Sequence, residues 1–284
     1  MTDPVVVTRA RELRAALDAD RAVGRSVGFV PTMGYLHAGH ASLMARARER
    51  NDVVVVSVFV NPTQFGPAED FEAYPRDLER DTAVAAKQGV DVLFVPDLDE
   101  MYPEPTRTTV TVDGLSEPLE GQTRPTHFAG VATVVAKLFN VLGPCRAYFG
   151  EKDFQQLLLI RRMVRELSFP VQVDACPTVR EPDGLAISSR NSYLTPQERT
   201  AAPVIFRALQ SGAASIRAGE RDVDAVGDLM AAIIEAEPLA ELDYVTVRDA
   251  DSLSVAETLA GNIRLLAAVR FGRARLIDNV GVTV

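Results

Sequence analysis

Val53-Val-Val-Val-Ser-Val-Phe-Val60 is an apolar, β-branched run of the length of one strand. A run of this kind belongs to a strand buried on both faces, and such burial needs helices above and below a parallel sheet. The neighbouring segments supply them. Leu13 and Leu17 stand at helical spacing within a predicted helix over 8–20. Strands are expected over 27–30, 91–95, 146–149 and 171–175, and helices over 41–50, 77–88, 127–142 and 153–167. Repeated β-α-β order predicts an α/β fold, a doubly wound parallel sheet of Rossmann-like type with helices on both faces. From about Val179 the pattern changes to helical stretches over 196–218 and 223–236 and strand-like runs over 242–247, 263–269 and 275–277. This reads as a smaller C-terminal α+β domain, so the expected division is 1–178 and 179–284.

Composition narrows the function classes. The chain has 284 residues, 47% hydrophobic and 24% charged, with a net charge of −9. That is ordinary for a soluble globular protein, and an acidic balance argues against a nucleic-acid partner. Two cysteines, Cys145 and Cys176, form no metal or redox spacing and are too few for a disulfide framework. The N-terminal residues lack the pattern of a signal peptide, and no run approaches a membrane span. A cytoplasmic protein with no membrane partner is expected.

Doubly wound sheets bind ligands beyond the C-terminal ends of their strands. The loops after Val30, Val60 and Phe149 are polar and chemically loaded. After Val30 comes Pro31-Thr-Met-Gly-Tyr-Leu-His37-Ala-Gly39-His40, in which a glycine-bearing turn opens a helix. A helix start offers backbone N–H groups and the positive end of a dipole to a phosphate. His37 and His40, three residues apart, can face one side of the first turn. Capping or surface roles are the plainer reading, and zinc a third, although no Cys or acidic cluster lies nearby to complete a metal site. After Val60, Asn61 and Gln64 sit where a substrate would lie, and neutral amides suit hydroxyls and carboxylates. Asn61-Pro62 is equally an ordinary turn signal. After Phe149, Gly150-Glu151-Lys152-Asp153 places a compact cation at a second glycine corner, with Asp153 able to cap a helix or accept from ribose hydroxyls. Gln156 lies one turn on. Ser188-Ser189-Arg190 in the domain junction forms a potential phosphate clamp, and Arg124 with His127 precedes another helix. Neither a nucleophile elbow nor a P-loop is present. The set favours reaction at a nucleotide phosphate by positioning and charge stabilisation.

Five of these segments in order, Pro31-Thr-Met-Gly34 with His37-Ala-Gly-His40, Phe59-Val-Asn-Pro-Thr-Gln-Phe65, Thr126-His-Phe-Ala-Gly-Val131, Phe149-Gly-Glu-Lys-Asp153 and Ser188-Ser-Arg-Asn191, resemble the pantoate–β-alanine ligase family. The His-x-Gly-His piece is also similar to the signature of a wider nucleotidyltransferase superfamily. The resemblance implies ATP-dependent condensation of pantoate with β-alanine through a pantoyl adenylate, giving pantothenate, AMP and pyrophosphate. By position it implies that Met33, Gly34, Tyr35, Leu36, His37, Ala38, Gly39 and His40 line ATP, together with Gly150, Glu151, Lys152, Asp153, Val179, Ile187, Ser188, Ser189 and Arg190. His40, His37, Lys152 and Arg190 would be catalytic, with His40 the foremost proton-donating group. Gln64 and Gln156 would bind pantoate, and Gln64 with Arg124 β-alanine. Mg²⁺ would be carried by ATP with no protein ligand assigned, the smaller domain would close over the ATP site, and the enzyme would be a homodimer.

Ile187 replaces a commoner Met before the two serines, Thr63 a commoner Met or Leu, and Tyr35 stands where Ala or Tyr is usual. None removes a polar group required above. Competing readings are a nucleotidyltransferase that builds a dinucleotide cofactor, which would not need paired glutamines, and a nucleotide-binding sensor without turnover. A class I tRNA synthetase is disfavoured for want of length, a basic surface and a tRNA-binding domain.

Overall fold

Strands and helices alternate along the chain as the apolar runs demand. A computed structural model describes residues 3–66, 71, 72 and 74–284. The order is β1 (Val5–Val7), α1 (Ala10–Ala22), β2 (Val27–Thr32), α2 (Ala38–Arg50), β3 (Val53–Val58), α3 (Leu78–Lys87), β4 (Val92–Phe94), α4 (Leu98–Met101), α5 (Glu120–Thr123), α6 (His127–Leu142), β5 (Cys145–Gly150), α7 (Phe154–Glu166) and β6 (Val171–Cys176). Then follow α8 (Pro196–Ala201), α9 (Val204–Arg217), α10 (Val223–Glu235), β7 (Glu241–Asp249), β8 (Asn262–Phe271) and β9 (Ala274–Thr283). The chain divides into two compact units, Met1–Gly150 with Gln155–Pro177, and Glu151–Phe154 with Thr178–Val284.

In the first unit six parallel strands are ordered β1-β4-β3-β2-β5-β6. Val53 to Val56 of β3 are all buried, as a strand covered on both faces requires. The chain winds from β2 through β3 to β4, then crosses to place β5 on the other flank of β2. The strand order therefore reverses between β2 and β5, which makes their C-terminal ends the expected ligand-binding edge. Leu43, Met44 and Ala47 of α2 pack on Val30, Val54, Val56 and Tyr148. Gly28 lets α2 end close to β2, since a Cβ there would lie 2.6 Å from Asn51 Nδ2. That amide donates to Tyr148 Oη at 2.7 Å and to the Ala47 carbonyl at 2.8 Å. Pro31 brings no N–H to β2, and the Thr32 hydroxyl donates across the same strand pair to the Ser57 carbonyl at 2.7 Å.

The second unit is a three-stranded antiparallel sheet, β7-β8-β9, covered on one face by α9 and α10. Ile205, Leu209, Ile216 and Met230 pack on Leu265, Ala267, Val269 and Leu276. The helix expected over 196–218 is two helices, because Pro203 lacks an N–H and blocks continuation from the preceding turn. The strand expected over 275–277 extends across Ala274–Thr283. The six-stranded parallel sheet and small antiparallel sheet confirm the expected fold class.

Candidate active site

The corner after β2 is built by side chains that bond its own backbone. His37 is the N-cap of α2, and its Nδ1 accepts from the Gly39 N–H at 3.1 Å. In return the His37 N–H donates to His40 Nδ1 at 3.3 Å. This is a capping box built from two imidazoles instead of a hydroxyl and a carboxylate. The rings lie close together and tilted, with centroids 4.0 Å apart and planes at 33°. Because each Nδ1 accepts a hydrogen bond, each neutral ring carries its proton on Nε2. The pair is thus set in one tautomer, with both Nε2–H groups as donors.

Asp81 of α3 holds the loop that leads into this corner. Its carboxylate is 1% exposed and accepts from the Tyr35 N–H at 2.8 Å and the Leu36 N–H at 2.7 Å. Gly34 has φ +86°, and a Cβ there would meet Asp81 Oδ2 and Val58 Cγ1 at 2.9 Å. Tyr35 also has positive φ, and its ring lies under the Arg80 guanidinium at 4.6 Å. Residues 34–36 are therefore pinned by this carboxylate together with the Thr32 hydroxyl, which accepts from the Gly34 N–H at 3.1 Å.

The loop after β3 is equally determined. Asn61 is fully buried and caps the turn at Pro62–Gln64 by accepting from the Thr63 N–H. Its Nδ2 donates to Gln64 Oε1 at 3.0 Å and to the Gly130 carbonyl at 3.1 Å, while Tyr102 Oη donates to its Oδ1 at 2.9 Å. Gln64 Oε1 is thus turned to Asn61, which fixes Nε2 as the donor end of that amide. His127 Nδ1 lies 3.0 Å from the Gln64 carbonyl, which can only accept, so Nδ1 carries the proton. His127 Nε2 then accepts from Arg124 Nη1 at 3.1 Å, and Arg124 Nη2 reaches the same Gln64 carbonyl at 3.2 Å. Arg124 and Gln64 are thus brought together through the Gln64 backbone carbonyl. Gln156 is half-buried in the first turn of α7. Its neighbour Gln155 is spent on structure, donating to the Leu115 and Pro118 carbonyls at 2.9 and 2.7 Å.

Gly150 closes β5, while Lys152, Asp153, Val179 and Ile187 to Arg190 belong to the second unit. The turn Glu151–Asp153 leads into α7, and Lys152 Nζ lies 3.4 Å from Asp153 Oδ1. Val179 and Ile187 are paired directly, with the Ile187 N–H donating to the Val179 carbonyl at 3.0 Å. Arg180 and Ala186 bridge inside that pair, and Asp183 and Gly184 form the tip. The Arg199 guanidinium at 2.6 Å holds the Asp183 carboxyl below the usual range. Ser188 accepts from the Arg190 N–H at 3.3 Å, and Arg190 itself is exposed.

Comparison with known proteins decides the family. A pantoate-beta-alanine ligase family model matches residues 5–281. The chain belongs to the pantoate–β-alanine ligase family. The pantothenate synthetase of Moorella thermoacetica is 55% identical over 272 residues, covering 96% of each chain. That of Aquifex aeolicus is 51% identical, covering 97% of this chain and 98% of the relative. A crystal structure of pantothenate synthetase from Thermus thermophilus superposes with a TM-score of 0.93 at 50% identity, covering 99% of this chain and 100% of that one. A pantoate-beta-alanine ligase from Francisella tularensis, in complex with beta-gamma ATP and beta-alanine, has a TM-score of 0.79 at 33% identity, covering 98% of this chain and 97% of that one.

For a member of this ligase family, sequence reading missed Asp81 and favoured a plain turn at Asn61. Asp81 carried a faint signal, since it shares a helix face with Ala85 and is therefore an acid on the buried side of α3. Asn61 does make the turn, and it orients Gln64 as well.

Proposed function

We propose that the chain condenses pantoate with β-alanine in two steps, each with its own residues. A pantoate carboxylate oxygen attacks the α-phosphorus of ATP, the bond to the bridging oxygen breaks, and pyrophosphate leaves. The β-alanine amine then attacks the acyl carbon of pantoyl adenylate, AMP departs with the bonding pair, and the amine gives up a proton as the amide forms. Adenylation is needed because a carboxylate oxygen is a poor leaving group.

The reciprocal cap of His37 and His40 carries this reading, because it fixes two Nε2–H donors at the C-terminal end of β2. Donors held before reaction stabilise developing charge on phosphate oxygens without reorganisation. His40 is the foremost proton donor of the two. Lys152 and Arg190 neutralise phosphate oxygens, Ser188 and Ser189 add hydroxyl donors, and Asp153 accepts from the ribose. The Met33–Ala38 backbone, Gly39, Gly150, Glu151, Val179 and Ile187 complete the ATP contacts. Gln64 and Gln156 bind pantoate, and Gln64 with Arg124 binds β-alanine. Magnesium enters with the co-substrate as MgATP. Among the described residues no cluster of three or more His, Cys, Asp or Glu could hold a metal ion. The working form is a cytoplasmic homodimer, and among the described residues no helix is long and apolar enough to cross a membrane.

Product analysis with ATP, pantoate and β-alanine, each omitted in turn, tests the reaction. Pantothenate and AMP should form only with all three, and pyrophosphate exchange into ATP should require pantoate alone. Exchange driven by a nucleoside monophosphate would overturn the assignment.

A further inference from the structure

Asp278 and Asn279 are consecutive residues of β9 and are 5% and 4% exposed. Consecutive strand residues point to opposite faces of a sheet. Asp278 shares the helix-covered face with Leu276 and Val282. There its two oxygens take the Arg180 guanidinium at 2.6 and 2.9 Å. Arg180 also donates to the Gly184 carbonyl at 3.0 Å and stacks on Phe206 at 3.8 Å. Arg180 stands at the base of the paired segment 179–187, which runs directly into Ser188 and Arg190.

Asn279 works on the other face. Its Nδ2 donates to the Glu151 carbonyl at 3.0 Å and to the Lys152 carbonyl at 2.9 Å. Its Oδ1 accepts from Arg264 Nε at 2.7 Å. Arg264 is itself buried, reaches Glu151 Oε2 at 3.1 Å and stacks on Phe154 at 4.0 Å. Gly281 pairs with Arg264 across the sheet and leaves it room, since a Cβ there would lie 2.9 Å from Nη1. The two carbonyls held by Asn279 belong to the peptide planes on either side of the Lys152 Cα. Fixing both planes fixes the direction in which the Lys152 side chain leaves the backbone.

We propose that Asn279 is a positioning residue for Lys152, and that Asp278 and Asn279 form a two-sided node tying both cationic segments to one strand. This rests on the role of Lys152 in adenylation given above. The node explains why an acid and an amide follow one another in the buried middle of β9: each is paired with a segment that carries phosphate-directed charge.

Asn279→Asp is the discriminating variant. It keeps the shape and the acceptor for Arg264 but loses both donors to the Glu151 and Lys152 carbonyls. Pantoate-dependent ATP–pyrophosphate exchange should fall in kcat by about 30-fold, within the range that ångström-scale misplacement costs. Attack of β-alanine on preformed pantoyl adenylate should change by less than about threefold, since that step does not call on Lys152 as proposed. In a Lys152→Ala background, Asn279→Asp should add less than about twofold, because residues acting through one group are not additive. Asn279→Ser, smaller and able to keep one donor, serves where the first variant does not fold, and should show the same split at lower amplitude. Exchange at the wild-type rate in either folded variant, equal loss in both half-reactions, or full additivity with Lys152→Ala would overturn the node. Wild-type exchange in Lys152→Ala alone would instead overturn the role of Lys152, and the node with it.

Discussion

The histidines of this chain are distinguished by tautomer more than by position. His37 and His40 accept at Nδ1 from backbone N–H groups, whereas His127 donates from Nδ1 to a carbonyl. Nitrogen-15 correlation spectra of the neutral rings should show two Nε2–H imidazoles and one Nδ1–H imidazole; three alike would contradict the geometry. His37→Asn separates chemistry from structure, because Asn is a strong N-cap and keeps the start of α2. Its melting temperature should stay within about 2 °C of wild type while adenylation falls by roughly 100-fold, the cost of losing a preorganised donor. Asp81 invites the converse test. Asp81→Ala leaves the buried Leu36 N–H unpaired, at a cost of about 1–3 kcal/mol, and the part-buried Tyr35 N–H unpaired at a smaller one. Asp81→Asn retains one acceptor and should lose less, by urea midpoint and by exchange rate alike. The histidine pair was legible because three-residue spacing is a local fact. Asp81 was not, because its partners Tyr35 and Leu36 lie 45 or more residues away.

Elements were readable where burial alone decides them. The valines of β3 announce a two-faced strand, an effect that acts within a few residues, whereas the break at Pro203 falls inside the single helix expected over 196–218. Two other features resisted reading. Asp278 and Asn279 look like turn residues, yet lie inside β9 because partners about a hundred residues away satisfy them. Gly130 looks like an accident within α6. A Cβ there would run into the Thr63 carbonyl and lie 2.8 Å from the Gln64 N–H nitrogen, so this glycine is what lets α6 abut the turn that presents Gln64. Gly130→Ala sets opposing effects against each other. Helix propensity favours alanine by about 1 kcal/mol, and overpacking against backbone costs about 1–3 kcal/mol. The obstacle is backbone and cannot rotate away, so the clash should win. The expected outcome is a modest drop in melting temperature with a rise in KM for pantoate of about tenfold or more and little change in KM for ATP. A stabilised protein with unchanged KM would show that α6 can move aside.

At the scale of the whole chain, connectivity and linkage take over from local pattern. The chain leaves the first unit at Gly150, rejoins it at Gln155 and leaves again at Pro177. No composition shift marks Glu151–Phe154, whose place is set by Arg264 and Asn279, more than a hundred residues on. The strand order that reverses beside β2 is likewise a long-range fact, invisible to spacing. Linkage makes global stability a reporter on single groups. Burial pushes the Cys145 thiol up to about 12, against about 8.5 in an unfolded chain. The folded state then keeps a proton that the unfolded state sheds, so this contribution is complete below about pH 8.5 and is lost as pH rises toward 12. Cys145→Ala should flatten the alkaline limb of a melting-temperature profile. Ligands act through the same thermodynamics. A ligand at 100 times its Kd stabilises the native state by about 2.7 kcal/mol, and one kcal/mol is worth about 2–4 °C for a chain somewhat smaller than this one. MgATP with pantoate should therefore raise the melting temperature by roughly 5 °C or more if the proposed contacts exist. His40→Ala and Lys152→Ala carry the decisive comparison, because they remove donors from different compact units. If each supplies binding energy to the same nucleotide, each alone must diminish the shift. A full shift in either variant would restrict nucleotide binding to the other unit's residues and remove that side chain from the ATP site.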